Sequence, residues 1–395
     1  MARRSDPFST SRPFSLGGVR WGEVDWHILA TALALLGVGL IFLSAMGGGG
    51  AALSPKDIDF GGHLKKLAVS LPAIAFGFLL RPRWLRSQAW LIYSACIGLL
   101  LLVPIIGLER NNARRWIETP AFDLQPSELA KVAVIVMLGR VLHRNRLARG
   151  RDWIAPLVVA LLPMGLVALQ PDLGTALTMV PVTLGMLYLA GARASIIGRF
   201  VLGVGLLGFL SFQLGWVHGY QAERIDTWLE SYEADNLIEA RRGGAFHLYQ
   251  ARVAMGNGGV LGTGLGRGIA NETGYLPERE SDSIFAVMAE ESGFLGAIAL
   301  LSVYTLLVLL MMGRASTMRD RFSRLVVGGI SIYFASHMFI NVSVNLGILP
   351  MTGLTLPLFS TGGSSLLASF TALGLALGLA SHQEPLLDGD SFSDY

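Results

Sequence analysis

The sequence predicts an all-α polytopic membrane protein: ten transmembrane helices, both termini cytoplasmic, and one large outer loop between helices 7 and 8. Three observations carry that expectation. Of 395 residues, 52% are hydrophobic and only 15% charged, where soluble domains carry about a quarter. The apolar residues come in blocks close to the roughly 20 residues that cross a bilayer as a helix. Arginines gather between alternate blocks, as the positive-inside rule requires of cytoplasmic connections.

Residues 1–25 form a basic N-terminal segment, MARRSDPFSTSRPFSLGGVRW at its start, without the apolar stretch and small-residue cleavage site of a signal peptide. The membrane domain spans 26–381, with predicted spans at 26–46, 64–80, 88–107, 126–142, 153–169, 172–191, 197–217, 283–312, 325–349 and 363–381. Spans five and six are joined by the tight turn ALQPDLG. Basic clusters before the first span and after the second, fourth, sixth and eighth put those connections inside. Residues 382–395 are an acidic tail, which the rule weighs little. Residues 218–282 make the large outer loop, where HLYQARVAMGNGGVLGTGLGRG contains an amphipathic helical piece and then a run of glycines. A connection this long signals a functional role. No internal repeat is visible.

The net charge of +3 does not point to nucleic acid, because the basic residues sit between apolar blocks. The lone cysteine, Cys96, excludes a disulfide or thiolate site, and the histidines lack metal-ligand spacing. No dedicated metal set is visible. GTGLGRG lacks the strand–helix context of a dinucleotide loop.

Two outer connections break the charge rule. Arg110, Arg114 and Arg115 lie in one, and several arginines lie in the loop 218–282. An anionic ligand at the outer face would account for them. In RNNARRWIETPAFDLQPSELAK, Pro126 suits a helix start. Glu128 and Lys131 then share a helical face. They read either as an ion pair with a snorkelling lysine or as groups facing an internal cavity. Arg114 and Arg115 together could form a phosphate clamp. Trp116 serves equally as an interfacial belt residue.

In YLPERESDSIFAVMAEE, Asp282 stands at the outer mouth of the eighth span, either as a helix cap, shared with Ser281, or as an active acid. Glu290 and Glu291 fall inside the apolar zone and are expected to pair with basic groups. In NVSVNLGILPMTGLTLPLFSTGGSSLLASF, Asn341 and Asn345 share a face, and the glycines and prolines that follow break the chain into a re-entrant segment. Ser364 and Ser365 open the last helix, as a simple capped turn or as donors toward an anion.

Taken in order, NNARRWI, QPSELAK, QPDLGTAL, YLPERESDSIFAVMAEE and GILPMTGLTLPLFSTGGSS closely resemble the SEDS family, which contains RodA and FtsW, over Asp25 to about Ala380. The resemblance implies a peptidoglycan glycosyltransferase in the bacterial cytoplasmic membrane that polymerises lipid II at the outer face. It also implies a class B penicillin-binding protein transpeptidase as partner, with membrane lipids around both. By motif, Asp282 corresponds to the essential outer acid, and Arg114, Arg115, Glu128 and Lys131 to cavity-lining charges. Asp282 is then the expected base for the acceptor hydroxyl. Arg114, Arg115 and Lys131 are the expected pyrophosphate clamp, with Glu128 orienting Lys131, and a divalent cation could assist.

The sequence departs from the family at Ser283, at Thr361 and in the composition of YQAERIDTWLESYEADNLIEARRGG. SAMG, QPDLGTAL and the lack of a basic C-terminal extension lean to the RodA branch, and GLTLP to FtsW. A flippase for lipid-linked sugars and a non-catalytic scaffold are the competing classes. The first should show internal repeats.

Overall fold

The structure is a computed structural model that describes residues 21–47, 59–110, 113–119, 122–213, 220–233 and 245–382. The remainder of the predicted terminal segments, and Arg241 and Arg242, lie outside those residues.

The described chain is helical apart from one small hairpin. Its helices are α1 (Trp26–Gly47), α2 (Phe60–Ser70), α3 (Pro72–Leu79), α4 (Pro82–Ile106), α5 (Pro126–Leu142), α6 (Ile154–Leu169), α7 (Leu173–Leu189) and α8 (Ala194–Gln213). There follow α9 (Tyr220–Glu233), α10 (Phe246–Asn257), α11 (Ile269–Thr273), α12 (Ile284–Thr317), α13 (Arg321–Asn345) and α14 (Gly363–Ser381). Six helices among the described residues are long and apolar enough to cross a membrane. The chain is a multi-pass membrane protein.

Two predicted spans are interrupted. The block read as 64–80 is split into α2 and α3 at Pro72, which has no N–H to continue the ladder. The block read as 283–312 is α12, broken inside at Gly293, whose φ of 69° and ψ of −170° are non-helical.

Helices α5, α13 and α14 form the centre and are buried almost all round. Helix α14 packs along α3 and also against α5 and α13, while α13 packs on α12 and α7. Around them, α1, α4, α6 and the second half of α12 expose apolar faces such as Leu33, Ile105, Leu169 and Leu309. In a soluble protein that surface would be a liability; in lipid it is the ordinary outside.

Arginines lace the connections at one end. Arg140 Nη1 donates to the Ser87 carbonyl at 2.9 Å, Arg321 Nη2 to Asn145 (3.0 Å) and Ala190 (2.8 Å), and Arg314 Nη2 to Glu23 (3.1 Å) and Ala380 (3.0 Å). The opposite end holds the connections predicted to lie outside. The segment predicted as the outer loop contributes α9, α10 and α11, and α10 packs on α12.

Candidate functional site

Asp282 is held by its backbone. Three successive carbonyls are each fixed from a different direction. The Glu280 carbonyl accepts from Thr361 N at 2.9 Å and Thr361 Oγ1 at 3.0 Å, and the Ser281 carbonyl from Ser360 Oγ at 2.7 Å. The Asp282 carbonyl accepts from Asn341 Nδ2 (3.1 Å) and Asn345 Nδ2 (3.0 Å). The two asparagines lie four residues apart, one helical turn on α13, which is why both reach the same oxygen. FSTGGSS and NVSVN thus converge to aim one aspartate.

The carboxyl group is left for other work. The cap position of α12 is Ser283, which makes no side-chain capping bond. Its hydroxyl instead meets His247 Nε2 of α10 at 2.6 Å. Burial lowers the pKa of His247 to about 4, so it stays neutral there. The Asp282 side chain is half-buried against the re-entrant segment, where a Cβ on Gly353 would lie 3.5 Å from its Oδ2. Burial, reinforced by the Glu278 charge, pushes its pKa up to about 7. Arg224 of α9 opposes that shift, and Glu280 and Asp172 add to it.

Asp172, read from the sequence only as part of a tight turn, is a hub. Its carboxylate accepts from Gln125 Nε2 at 2.7 Å and Ser127 Oγ at 3.3 Å, and caps α7 through Thr175 N at 3.4 Å. Arg115 binds the same turn. Its Nε donates to the Gln170 carbonyl at 3.1 Å and its Nη2 to that of Pro171 at 2.5 Å, with Nη1 4.0 Å from Asp172 Oδ1. The guanidinium carbon also lies 6.0 Å from the ring centre of its neighbour Trp116.

Arg114 and Arg115, expected as a phosphate clamp, have different partners. Residues 108–110 (β1) and 113–116 (β2) pair as an antiparallel hairpin, and successive side chains of a strand point to opposite faces. Arg114 therefore turns outward and pairs with Glu109 at 3.2 Å, both about half exposed. The sequence reading had no hairpin here, so adjacency looked like convergence.

Lys131 does not face an open cavity. Its Nζ donates to Glu128 Oε1 at 2.7 Å and lies 2.9 Å from His337 Nε2 and 5.5 Å from the Tyr333 ring centre, with the residue 2% exposed. The ammonium donates, so His337 accepts through a bare Nε2. A spacing search for metal ligands passes over this histidine; a search for partners of a buried lysine would have found it. Glu128 Oε2 is buried with no hydrogen-bond partner.

The Ser364 hydroxyl bridges two segments of the chain. It accepts from Gln125 N and donates to the Asp123 carbonyl, both at 2.8 Å, tying α14 to the segment before α5. Among the described residues, no basic side chain is paired with Glu290 or Glu291. Glu290 accepts from Ala270 N at 3.0 Å and Asn257 Nδ2 at 3.3 Å, and Glu291 from Asn271 Nδ2 at 3.4 Å. Among the described residues no three histidine, cysteine or acidic side chains converge to hold a metal ion.

Residues 26–384 match the cell cycle protein family of FtsW, RodA and SpoVE. The chain belongs to that family. It is 32% identical over 370 residues to the peptidoglycan glycosyltransferase MrdB of Escherichia coli K12, covering 93% of this chain and 96% of that protein. It is 34% identical over 383 residues to the FtsW of Thiomicrospira cyclica, covering 93% and 94%. Among solved structures, the rod shape determining protein RodA of Thermus thermophilus superposes with a TM-score of 0.67 at 27% identity, covering 93% of this chain and 99% of that one. A chain of a peptidoglycan synthase complex described as coordinating polymerization and crosslinking superposes at 0.76 with 28% identity, covering 93% and 100%.

Proposed function

We propose that this family member is a peptidoglycan glycosyltransferase that polymerises lipid II, in the RodA-like role in elongation and cell shape. The observation that carries the reading is the threefold backbone support of Asp282, which leaves a half-buried carboxyl group poised near neutrality. A base works best when its pKa lies near the operating pH.

In this reaction the Asp282 carboxylate takes the proton of the acceptor sugar's 4-hydroxyl as that oxygen attacks the donor's anomeric carbon. The bond to the lipid pyrophosphate breaks, and the leaving group departs with the electron pair. The donor linkage is α and the product β, so one inverting displacement is sufficient.

Cationic stabilisation of the leaving group falls to Arg115, beside Asp172, and to Arg224, whose charge acts on Asp282. Arg114 stands at the rim and Trp116 beside Arg115. The Glu128–Lys131 pair and Ser364 fix the wall beneath, through the Glu128 Oε1–Lys131 Nζ bond and the Ser364 hydroxyl's bond to Gln125 N. The proposal routes no step through a metal ion.

The ten-span topology with cytoplasmic termini is part of the proposal. It is supported by the arginine lacing, which joins alternate connections and ties Glu23 and Ala380 to Arg314. Asp282 and Arg115 then lie on the other side, the outside of the cytoplasmic membrane, where a lipid-anchored substrate presents its sugars. A class B penicillin-binding protein is the proposed partner, in keeping with the synthase complex among the structural neighbours.

The test is polymerisation of labelled lipid II by the purified chain in detergent, with and without its transpeptidase, read as glycan ladders on a gel. Ladders that vanish with Asp282→Asn support the reading. Unchanged ladders in that variant contradict the base assignment, and transport without polymer contradicts the enzyme.

A further inference from the structure

The break in α12 is filled from the outer loop. Where the helix is interrupted at Gly293, the carbonyls of Glu290 and Glu291 have no helical partner and accept from Thr263 N and Gly264 N, both at 3.0 Å. On the other side of the break, Phe294 N and Leu295 N start a new ladder and donate to the carbonyls of Gly259 (2.9 Å) and Val260 (3.2 Å). Gly262 N closes the loop on the Gly258 carbonyl at 2.8 Å. Glycine is required on both sides of this contact. A Cβ on Gly293 would sit 2.3 Å from Gly262 N, and one on Gly262 would sit 2.2 Å from the Glu291 carbonyl oxygen.

The two halves of α12 have different surroundings. Residues 284–291 are buried in protein, whereas from Phe294 onward the helix exposes a long apolar face, with Phe294 60% and Leu295 55% exposed. The loop sits on the first turn of that second half. Apart from Thr263, whose hydroxyl donates to the Glu290 carbonyl at 3.3 Å, its exposed side chains are apolar: Val260 is 63% exposed, Leu261 78% and Leu265 51%. They continue the band begun by Phe294, Leu295 and Ile298, below which α12 carries a shallow apolar recess.

Irregular backbone is tolerated against lipid only when its N–H and C=O groups are satisfied within the protein. Here they are satisfied by the broken helix. We propose that the tip of the outer loop, Val260 to Leu265, inserts into the acyl-chain region of the outer leaflet. The occupant is the bilayer's own phospholipid. The argument is continuity: the exposed Val260, Leu261 and Leu265 prolong a face of α12 that already meets lipid. The docked loop also carries the Ala270 amide that binds Glu290, so it sets the depth of α12's protein-enclosed half, at whose head Asp282 stands. The inference does not depend on the catalytic assignment.

The full chain allows a clean test, because its one cysteine can be removed by Cys96→Ala. A polarity-sensitive fluorophore is attached at Leu261→Cys, with Val260→Cys as a second site should the first fail to fold. Ile298→Cys marks lipid and the exposed Asp226→Cys on α9 marks water. Each protein is placed in nanodiscs and quenched in turn by doxyl-labelled phosphatidylcholine and by iodide. We expect the label at 261 to lose most of its intensity to the spin-labelled lipid, as at 298, and little to iodide. Quenching by iodide to the extent seen at 226 overturns the proposal. Protection from both quenchers, which would mean a protein or a bound polyprenyl chain occupies the patch, also overturns it.

Discussion

Replacing Asp282 by asparagine should abolish activity and should stabilise the protein by a margin that grows as pH rises from about 4 to 7. The folded-state pKa of about 7, against an ordinary 3.8, means that the fold favours the protonated acid. The sign follows from linkage. Stability is greatest below pH 3.8, falls as pH rises toward 7, and levels off above it. A shift of about three units at 1.36 kcal/mol each corresponds to about 4 kcal/mol, an upper bound for a half-buried group that water partly screens. Asparagine keeps the shape and carries no charge, so Asp282→Asn removes that cost. The assay is thermal unfolding in nanodiscs at pH 5 and pH 8. The variant should unfold several degrees higher than the parent at pH 8, by a markedly larger margin than at pH 5. A margin independent of pH, or a loss of stability at pH 8, would refute the account of a carboxyl group strained by burial and by Glu278.

Lys131→Met should destabilise by about 3–5 kcal/mol, since it strands a buried Glu128, while Glu128→Gln combined with Lys131→Met should recover much of the loss in the same unfolding assay. Arg114→Ala should cost under about 1 kcal/mol, because its ion pair with Glu109 is exposed. Arg115→Lys should be clearly worse than Arg114→Lys in polymerisation, because an ammonium cannot reproduce the two-carbonyl grip on Gln170 and Pro171. Gly293→Ala should lower stability by at least about 1–3 kcal/mol, through its left-handed φ and the contact with Gly262, as read by unfolding midpoint.

Much of the architecture was legible because lipid imposes simple statistics. Each predicted block corresponds to helix in the structure, and the helical piece foreseen in the outer loop is α10. The breaks were not legible in the same way. Gly293 follows Glu290, Glu291 and Ser292 inside one predicted span, and only the loop docking against it reveals that the helix stops there. The acid at Asp282 stood out because a carboxylate at a membrane mouth is costly. Its supports, Asn341 and Asn345, were visible as a shared face but not as ligands of a carbonyl 59 and 63 residues away. The different directions of Arg114 and Arg115 were not legible, because adjacency in sequence does not show the two-residue alternation of a short hairpin. The two readings of Lys131, ion pair or cavity group, could not be separated, because a pattern shows a charge in the membrane without showing whether space surrounds it. Asp172 was passed over as a turn former, although it joins the arginine side of the site to the acid side.

The most direct measurement is the pH dependence of kcat/KM for lipid II polymerisation, in the parent and in Glu278→Gln. If Asp282 is the base and titrates near 7, the acidic limb should fall tenfold per pH unit, with about a tenth of full activity remaining at pH 6. Removing the Glu278 charge should move that limb to lower pH. A limb centred near 4, a limb unmoved by Glu278→Gln, or an Asp282→Asn enzyme with the parent's profile would contradict the assignment.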